Sequence, residues 1–494
     1  MNAHSSLVEQ SMPRFDLIVI GSGPSGRRAA IQAAKLGKQV LVVERNPRVG
    51  GVSVHTGTIP SKALRETVLN LTGWRERGFY GSAYRVKKDI SAADLWQRGA
   101  KILEHEVDVL EHQFARNRVT TVQGEARFLS PNRIELIRSR EAEPEHYEAD
   151  FFVIACGTRP YRPTHVPFDG KTVFDSDEIL KLETLPRSLT VVGAGVIGVE
   201  YATIFSALEI AVTLVEPRAS FLDFIDRELI EEFMHELRDR NVSLRLGSEV
   251  KAVEFDGAGR PVCRIASGRD VTSDMLLYAA GRMGATEGLN LAAAGLETDH
   301  RGRLTVDAKT LQTKVPHIYA AGDVIGFPSL ASTSMEQGRL AACHAFGLAP
   351  QAAPEHFPYG IYAVPEMSTV GMSEEEVIQR KIPYECGIAR FRETSRGHIM
   401  GLQSGMMKMI FSKKTRRLLG VHIIGEGATE LIHIGQAVMA LKGTIDYFME
   451  STFNYPTLAE AYKIASLDAW NRAFAPTAAA PEVPDMPEAI EDAA

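Results

Sequence analysis

The sequence predicts an α/β protein: two units of parallel sheet wrapped by helices, then a smaller α+β domain. Three observations carry this. A strand–glycine turn–helix–strand unit occurs twice, and apolar, β-branched runs ending in glycine turns lie between and after the two copies. Beyond about Pro354 the pattern changes to longer strand-like segments mixed with helices. A chain of 494 residues also exceeds what one core fills, so two to four domains are expected.

In chain order, Phe15 to Ile20 (FDLIVI) reads as a buried parallel strand and runs into GSGPSG. Gly21, Gly23 and Gly26 have the spacing G-x-G-x-x-G; a helix (RRAAIQAAKLG) and a second strand ending at Glu44 follow. Alone the glycines would say little, but strand, turn, helix, strand and terminal acid in order make a dinucleotide-binding, Rossmann-like fingerprint. The unit recurs from Leu189, with Gly193, Gly195 and Gly198, a helix, and AVTLVE ending at Glu216. First glycine to acid spans 23 residues in both copies (21 to 44, 193 to 216), which implies two dinucleotide sites. The bland alternative is that one copy is a decayed fold element. Ala63 to Arg118 is helical in pattern, Val119 to Glu148 reads as short strands with an SPN turn, and DMLLYAAGR and HIYAAGDVIG read as buried strands. STVGM, MMKMIF and RRLLGVHIIG are strands of the last domain and TELIHIGQAVMALKG is a helix; Met406, Met407 and Met409 read as gap-filling apolar residues. The tail after Ala473, rich in Ala, Pro and acids, cannot support a core and is expected to be disordered.

Composition excludes several classes. Lys and Arg total 55 against 62 Asp and Glu, so the net charge of −7 argues against nucleic acid or an anionic membrane as the main partner. Cys156, Cys263, Cys343 and Cys386 stand apart, with no metal-ligand spacing, so no metal is expected; they fit a reducing cytosol. No apolar run reaches membrane-span length and the N-terminus has no apolar signal segment, so a cytoplasmic location is expected.

The chemistry of the two turns follows from their residue types. Gly21 and Gly193 permit the tight turn, Gly23 and Gly195 let backbone approach a pyrophosphate, and Gly26 and Gly198 let helix pack on sheet. The helix N-terminus then offers unpaired N–H groups to phosphate. Glu44 and Glu216 stand where a carboxylate accepts from an adenosine ribose; the alternative for each is a surface glutamate. Arg218, two residues beyond Glu216, could pair with the 2′-phosphate of NADP, so this pair is compatible with both NAD and NADP. Equally, Arg218 reads as an exposed arginine making a surface contact.

With HTGTIPSKALR, VIACGTRPY, GAGVIGVEYATIF, YAAGDVIGFPSLAS and TFNYPTLAEAY in hand, the chain resembles the FAD-dependent pyridine nucleotide–disulfide oxidoreductases. Within them it is most similar to the soluble pyridine nucleotide transhydrogenases, over about Phe15 to Arg472. The resemblance implies a discontinuous FAD-binding domain (13–165 and 288–352), an NAD(P)-binding domain (166–287) and a dimerisation domain (353–473). Residues 1–12 and 474–494 would be disordered ends. It also implies site residues. Gly21, Gly23, Gly26, Glu44, Arg45, Gly50, Gly51, Ser53, Thr58, Gly157, Asp323 and Ala331 would hold FAD. Gly193, Gly195, Gly198, Glu216, Arg218 and the Gly281–Arg282 turn would hold the nicotinamide dinucleotide. Lys62 would reach the reactive edge of the flavin and pair with Glu200, both as catalytic residues. A homodimer would bring Tyr455 and Glu460 to the partner's active site.

The departures from that family are as informative. Its disulfide reductases read GG-x-C-x-x-x-x-C-x-P-S-K, where this chain has Ser53 and Thr58 in GGVSVHTGTIPSK. Their C-terminal H-P-T-x-x-E is here Tyr455 to Glu460, and tyrosine, with a reference pKa of about 10, is a poor general base at neutral pH. Dithiol and base are missing together. His433 reads as core or subunit-interface packing rather than a base, and His55 sits near the expected flavin position. What remains is hydride exchange, NADPH + NAD⁺ ⇌ NADP⁺ + NADH, in a ping-pong scheme through flavin N5 at a single nicotinamide site. The alternatives are another NAD(P)H-dependent flavin reductase, of the quinone, diaphorase or dihydrolipoamide dehydrogenase-like type, and a flavin-bearing protein without turnover.

Overall fold

A computed structural model describes residues 12–81, 83–139, 141–348 and 356–473. Of the ends expected to be disordered, 1–12 and 474–494, all but Met12 lie outside them. The first glycine unit comprises β1 (Arg14–Ile20), α1 (Pro24–Lys35) and β2 (Val40–Glu44). It continues into α2 (Gly51–His55), α3 (Thr58–Leu71), the short α4 (Arg77–Tyr80) and the long α5 (Ala92–Arg116). Ser91 caps α5 and Asp94 closes a capping box with it, which sets the start of a helix otherwise preceded by loop. Then come β3 (Thr120–Gln123), β4 (Glu125–Ser130), β5 (Arg133–Ile137), β6 (Glu145–Ile154) and β7 (Thr158–Pro160).

The second unit comprises β8 (Val173–Asp175), β9 (Ser188–Val192), α6 (Val196–Ala207), β10 (Ala211–Val215), α7 (Arg227–Asp239) and β11 (Ser243–Arg245). A small antiparallel sheet, β12 (Val250–Phe255), β13 (Pro261–Ile265) and β14 (Val271–Thr272), precedes β15 (Met275–Tyr278) and β16 (Arg282–Gly284). The chain returns to the first unit with β17 (Ile318–Ala320) and α8 (Ala331–Ala345).

Two sheets result, the first mixed, with β4, β5 and β6 pairing antiparallel. The first sheet runs β3-β2-β1-β6-β5-β4, with β17 pairing the end of β6. The second runs β11-β10-β9-β15-β8, parallel throughout. Both central strands are buried on both faces: helices cover one, and antiparallel strands (β4 and β5 in the first sheet, β12 and β13 in the second) cover the other, so Leu17, Ile18, Val19 and Val191 are fully buried. In the first unit α1 lies close on α8, where a Cβ at Gly338 would sit 1.9 Å from the Ser25 carbonyl oxygen. The C-terminal region is an antiparallel sheet of β18 (Tyr359–Ile361), β19 (Met367–Gly371), β20 (Tyr384–Arg390), β21 (Met406–Ser412) and β22 (Leu418–Ile424), in the order β18-β19-β22-β21-β20. Met406, Met407 and Met409 are buried within it, as gap-filling side chains should be.

One core joins the three parts. Leu64 and Val68 of α3 and Leu95 of α5 pack with Val199 and Ala202 of α6 and with Ile361 and Met406 of the C-terminal sheet. This packing brings α3 and α6 side by side, although they are far apart in sequence. It decides where their polar side chains meet.

Candidate active site

The first glycine turn is built by close approach. Gly21 has φ +106, and a Cβ there would lie 2.4 Å from the Ala155 carbonyl oxygen; one at Gly26 would lie 1.9 Å from that of Gly21. Gly23, at the N-terminus of α1, faces open space and no side chain caps the helix, so its first N–H groups point to whatever binds there. Glu44, buried at the end of β2, accepts from Ser22 N–H (3.0 Å), Ser22 Oγ–H (2.5 Å) and Asn46 N–H (2.9 Å).

Gly21, Ser22, Gly23, Glu44 and Ala155 line a cleft of about 1280 Å³, open to solvent. Its walls take in Arg45, Gly51, Ser53, Thr58, Gly157, Asp323 and Ala331, so most residues expected to hold FAD meet in one space. Gly50 and Gly26 stand just behind its wall as packing positions, and a Cβ on Gly51 would press to 2.8 Å from Gly23 Cα. Sequence reasoning missed Ser22, Thr158 and Ser334, which also line it. The hydroxyl inside GSGPSG was the available signal for Ser22; Thr158 and Ser334 had none.

The cleft fits a polyhydroxylated, phosphorylated group. Burial pushes the Asp323 carboxyl above its ordinary range, with Arg282 and hydrogen bonds only partly offsetting it. Its hydrogen bonds, from Thr158 Oγ1 and Ser334 Oγ, are both 3.5 Å long, so this part-buried acid keeps accepting capacity toward the cleft. The uncapped helix N-terminus suits a pyrophosphate, and Glu44 at the strand end suits a ribose.

At the end marked by Thr58, α3 carries Lys62 one turn further on. Its Nζ donates to both oxygens of Glu200 on α6, at 2.9 and 2.8 Å, and lies 4.8 Å from the centre of the Tyr362 ring. Glu200 also accepts from Tyr362 N–H at 2.9 Å. The carboxylate is buried and the lysine partly exposed, so a positive group is held at the boundary between the two units.

The second turn repeats the first: Gly193 has φ +100, and a Cβ at Gly198 would lie 1.8 Å from the Gly193 carbonyl oxygen. Gly195, like Gly23, faces open space. Glu216, buried at the end of β10, accepts from Ala194 N–H (2.8 Å) and from Arg218 Nε–H (2.7 Å). Burial alone would raise its carboxyl, but the Arg218 side chain and these N–H groups hold it below the usual range. Gly281, with φ +121, precedes β16. The structure places the Arg282 guanidinium against Thr158 Oγ1 (2.9 Å), Ser176 Oγ (3.1 Å) and Asp177 (2.9 Å). It bridges the two units at this point.

Other candidates lie elsewhere. Tyr455 is exposed, its hydroxyl bonded to Ser395, and neither it nor Glu460 lines the cleft. His433 is exposed and bonded to Gln436, which removes the core-packing reading for it within one chain, because the outer face of its helix is uncovered. His55 is tied to the Val49 carbonyl. All four cysteines are free thiols; Cys156 borders the cleft, and burial pushes it up to about 12, so it stays protonated. Among the described residues no cluster could hold a metal ion and no helix is long and apolar enough to cross a membrane.

Two family models match: pyridine nucleotide-disulphide oxidoreductase over residues 15–338, and the dimerisation domain of the same group over 357–466. A protein of Mycobacterium bovis (strain BCG / Pasteur 1173P2) named soluble pyridine nucleotide transhydrogenase is 52% identical over 461 residues, 93% of this chain and 98% of that one. One of the same name from Citrobacter koseri is 42% identical over 464 residues, 93% and 99% of the two chains. Among solved structures, the HOCl-induced flavoprotein disulfide reductase RclA from Escherichia coli aligns at 25% identity with a TM-score of 0.83, covering 92% of this chain and 99% of that one. LpdA from Mycobacterium tuberculosis aligns at 24% identity and a TM-score of 0.84, with the same coverage, and so shares the fold.

Proposed function

From a chain that belongs to the pyridine nucleotide-disulphide oxidoreductase family, we propose an FAD-dependent NAD(P)⁺ transhydrogenase that moves hydride between NADPH and NAD⁺. The observation that carries this is the pair of complete nucleotide turns in a chain with Ser53 and Thr58 in place of the dithiol. The relatives named soluble pyridine nucleotide transhydrogenase support it.

The first unit (13–165 with 288–352) is the FAD-binding domain; 166–287 is the NAD(P)-binding domain and 353–473 the dimerisation domain. Gly21, Gly23 and Gly26 with the α1 N-terminus hold the pyrophosphate, Glu44 the ribose, Asp323 a hydroxylated chain, and Ser53 and Thr58 border the reactive end. FAD, when bound, supplies a two-electron carrier between successive nicotinamides. Lys62 places a positive charge at that end, and Glu200 with Tyr362 N–H fixes its direction, so the ammonium need not reorganise as charge develops. Gly193, Gly195, Gly198 and Glu216 present the second nucleotide to the same end. No side chain there must gain or lose a proton, which suits direct hydride movement and explains why Tyr455 can stand where a disulfide reductase keeps a base. A disulfide-reducing reading lacks any thiol at the relay positions.

The dimerisation domain makes the protein a homo-oligomer. A homodimer in which Tyr455 and Glu460 approach the partner's cleft is supported by the exposed Tyr447, Tyr455, Ile464 and Leu467 of this region. Four free cysteines, three of them buried, fit a cytoplasmic location.

Anaerobic stopped-flow tests the reaction. NADPH should bleach the flavin band, and NAD⁺ added next should restore it within a turnover. Failure of NAD⁺ to restore it, with quinone or oxygen doing so instead, would place the enzyme among other flavin reductases.

A further inference from the structure

The second nucleotide turn contains an arrangement absent from the first. Arg218 is folded back along its own loop: its backbone N–H (3.2 Å) and Nε–H (2.7 Å) both donate to Glu216 Oε1, and Nη1–H donates to Asp223 Oδ2 at 3.2 Å. Asp223 is braced by Ser220 Oγ–H at 2.6 Å on its other oxygen. Glu216 side-chain exposure is 5%, against 51% for Arg218 and 56% for Asp223. The guanidinium therefore spans a buried acid at the strand end and a solvated acid on the surface.

The two ends of this span differ in what they ask of a ligand. Glu216 Oε2 has given one site to Ala194 N–H and keeps another, enough to accept from a ribose 2′-hydroxyl without any rearrangement. A 2′-phosphate is different. It would face Glu216 and Asp223 as like charges unless Arg218 turned its planar fork outward to meet it. An exposed Arg–Asp pair is weak and screened by salt, so its release is easy, yet it sets how often Arg218 is free.

We propose that Asp223, braced by Ser220, is a specificity-determining residue of the second nucleotide site. It keeps Arg218 parked on Glu216 in the form that accepts an unphosphorylated ribose, and yields it in the form that accepts a 2′-phosphate. One loop thereby admits both partners of a transhydrogenation. This rests on the reading of the second unit as the nicotinamide dinucleotide site.

The test uses the holoenzyme and two probes, adenosine 2′,5′-bisphosphate and 5′-AMP, titrated calorimetrically, alongside kcat/KM for NADPH and NADH. Asp223→Asn should raise the bisphosphate-to-AMP affinity ratio about two- to fivefold, the upper part of the range an exposed ion pair commands. Ser220→Ala should shift it the same way by less. Arg218→Ala should lower the ratio tenfold or more, and in that background Asp223→Asn should raise the ratio by clearly less than it does alone, because only the direct charge on the phosphate is then relieved. If Arg218→Ala lowers the ratio while Asp223→Asn leaves it unchanged, or acts equally in both backgrounds, the proposal falls alone. If Arg218→Ala leaves the ratio unchanged, the assignment of the loop as the nucleotide site falls, and the proposal with it.

Discussion

In the first unit the strand-end carboxylate, Glu44, takes its hydrogen bonds from Ser22 and Asn46, all neutral donors; in the second, Glu216 takes them from Ala194 N–H and a guanidinium. The backbones beneath are nearly the same. Both turns begin with glycines of φ +106 and +100, and both set a backbone N–H on a carboxylate 22 residues later, at 3.0 and 2.8 Å. The first turn is then roofed by Gly51, Ser53, Thr58 and Asp323, whereas the arginine of the second is half exposed. A cleft walled on several sides suits a resident cofactor, and a turn with fewer walls suits nucleotides that must exchange. The same local chemistry thus serves both purposes, and the residues just after the strand-end acid make the difference.

The largest effect should come from closing one turn at a time. Gly26→Ala would press a Cβ to 1.9 Å from backbone oxygen, and Gly198→Ala to 1.8 Å, so each distorts its own turn. The first variant should purify without the flavin absorbance band. The second should keep the band but be reduced by NADPH at least about tenfold more slowly, equivalent to 1.4 kcal/mol or more. Flavin loss from both, or from neither, would break the division between the units.

A smaller effect should follow from making the first turn like the second. Ser22→Ala removes the hydroxyl that joins Glu44 to Gly50 N–H (2.9 Å), leaving a buried donor unpaired. That should weaken FAD retention by about 1–3 kcal/mol, read as a raised Kd on titrating the apoprotein, with nucleotide preference unchanged.

Much of this was legible in the sequence where chemistry is local. Both glycine fingerprints, both strand-end acids and the loss of the dithiol lie within short segments whose periodicity and spacing fix their structure. The Lys62–Glu200 pair, 138 residues apart, was reached only through the family resemblance, because no local pattern encodes the packing of α3 on α6. For the same reason the return of β17 to the first sheet was not legible as a pairing. Least visible was the buried Lys408, whose Nζ meets Asp226 (3.0 Å) and Glu374 (2.5 Å) and so ties α7 to the C-terminal sheet. Such a lysine in an apolar strand looks like noise until its partners, 182 and 34 residues away, are seen. Asp223 escaped notice because an exposed acid in a loop carries no signal without the arginine geometry beside it.

The central claim is that NADPH and NAD⁺ take turns at one site served by a resident flavin. Initial rates measured over a grid of both nucleotides test it most directly. The account predicts parallel double-reciprocal lines, with high NAD⁺ inhibiting competitively against NADPH. Intersecting lines, with no such competition, would mean that both nucleotides bind at once and would contradict it.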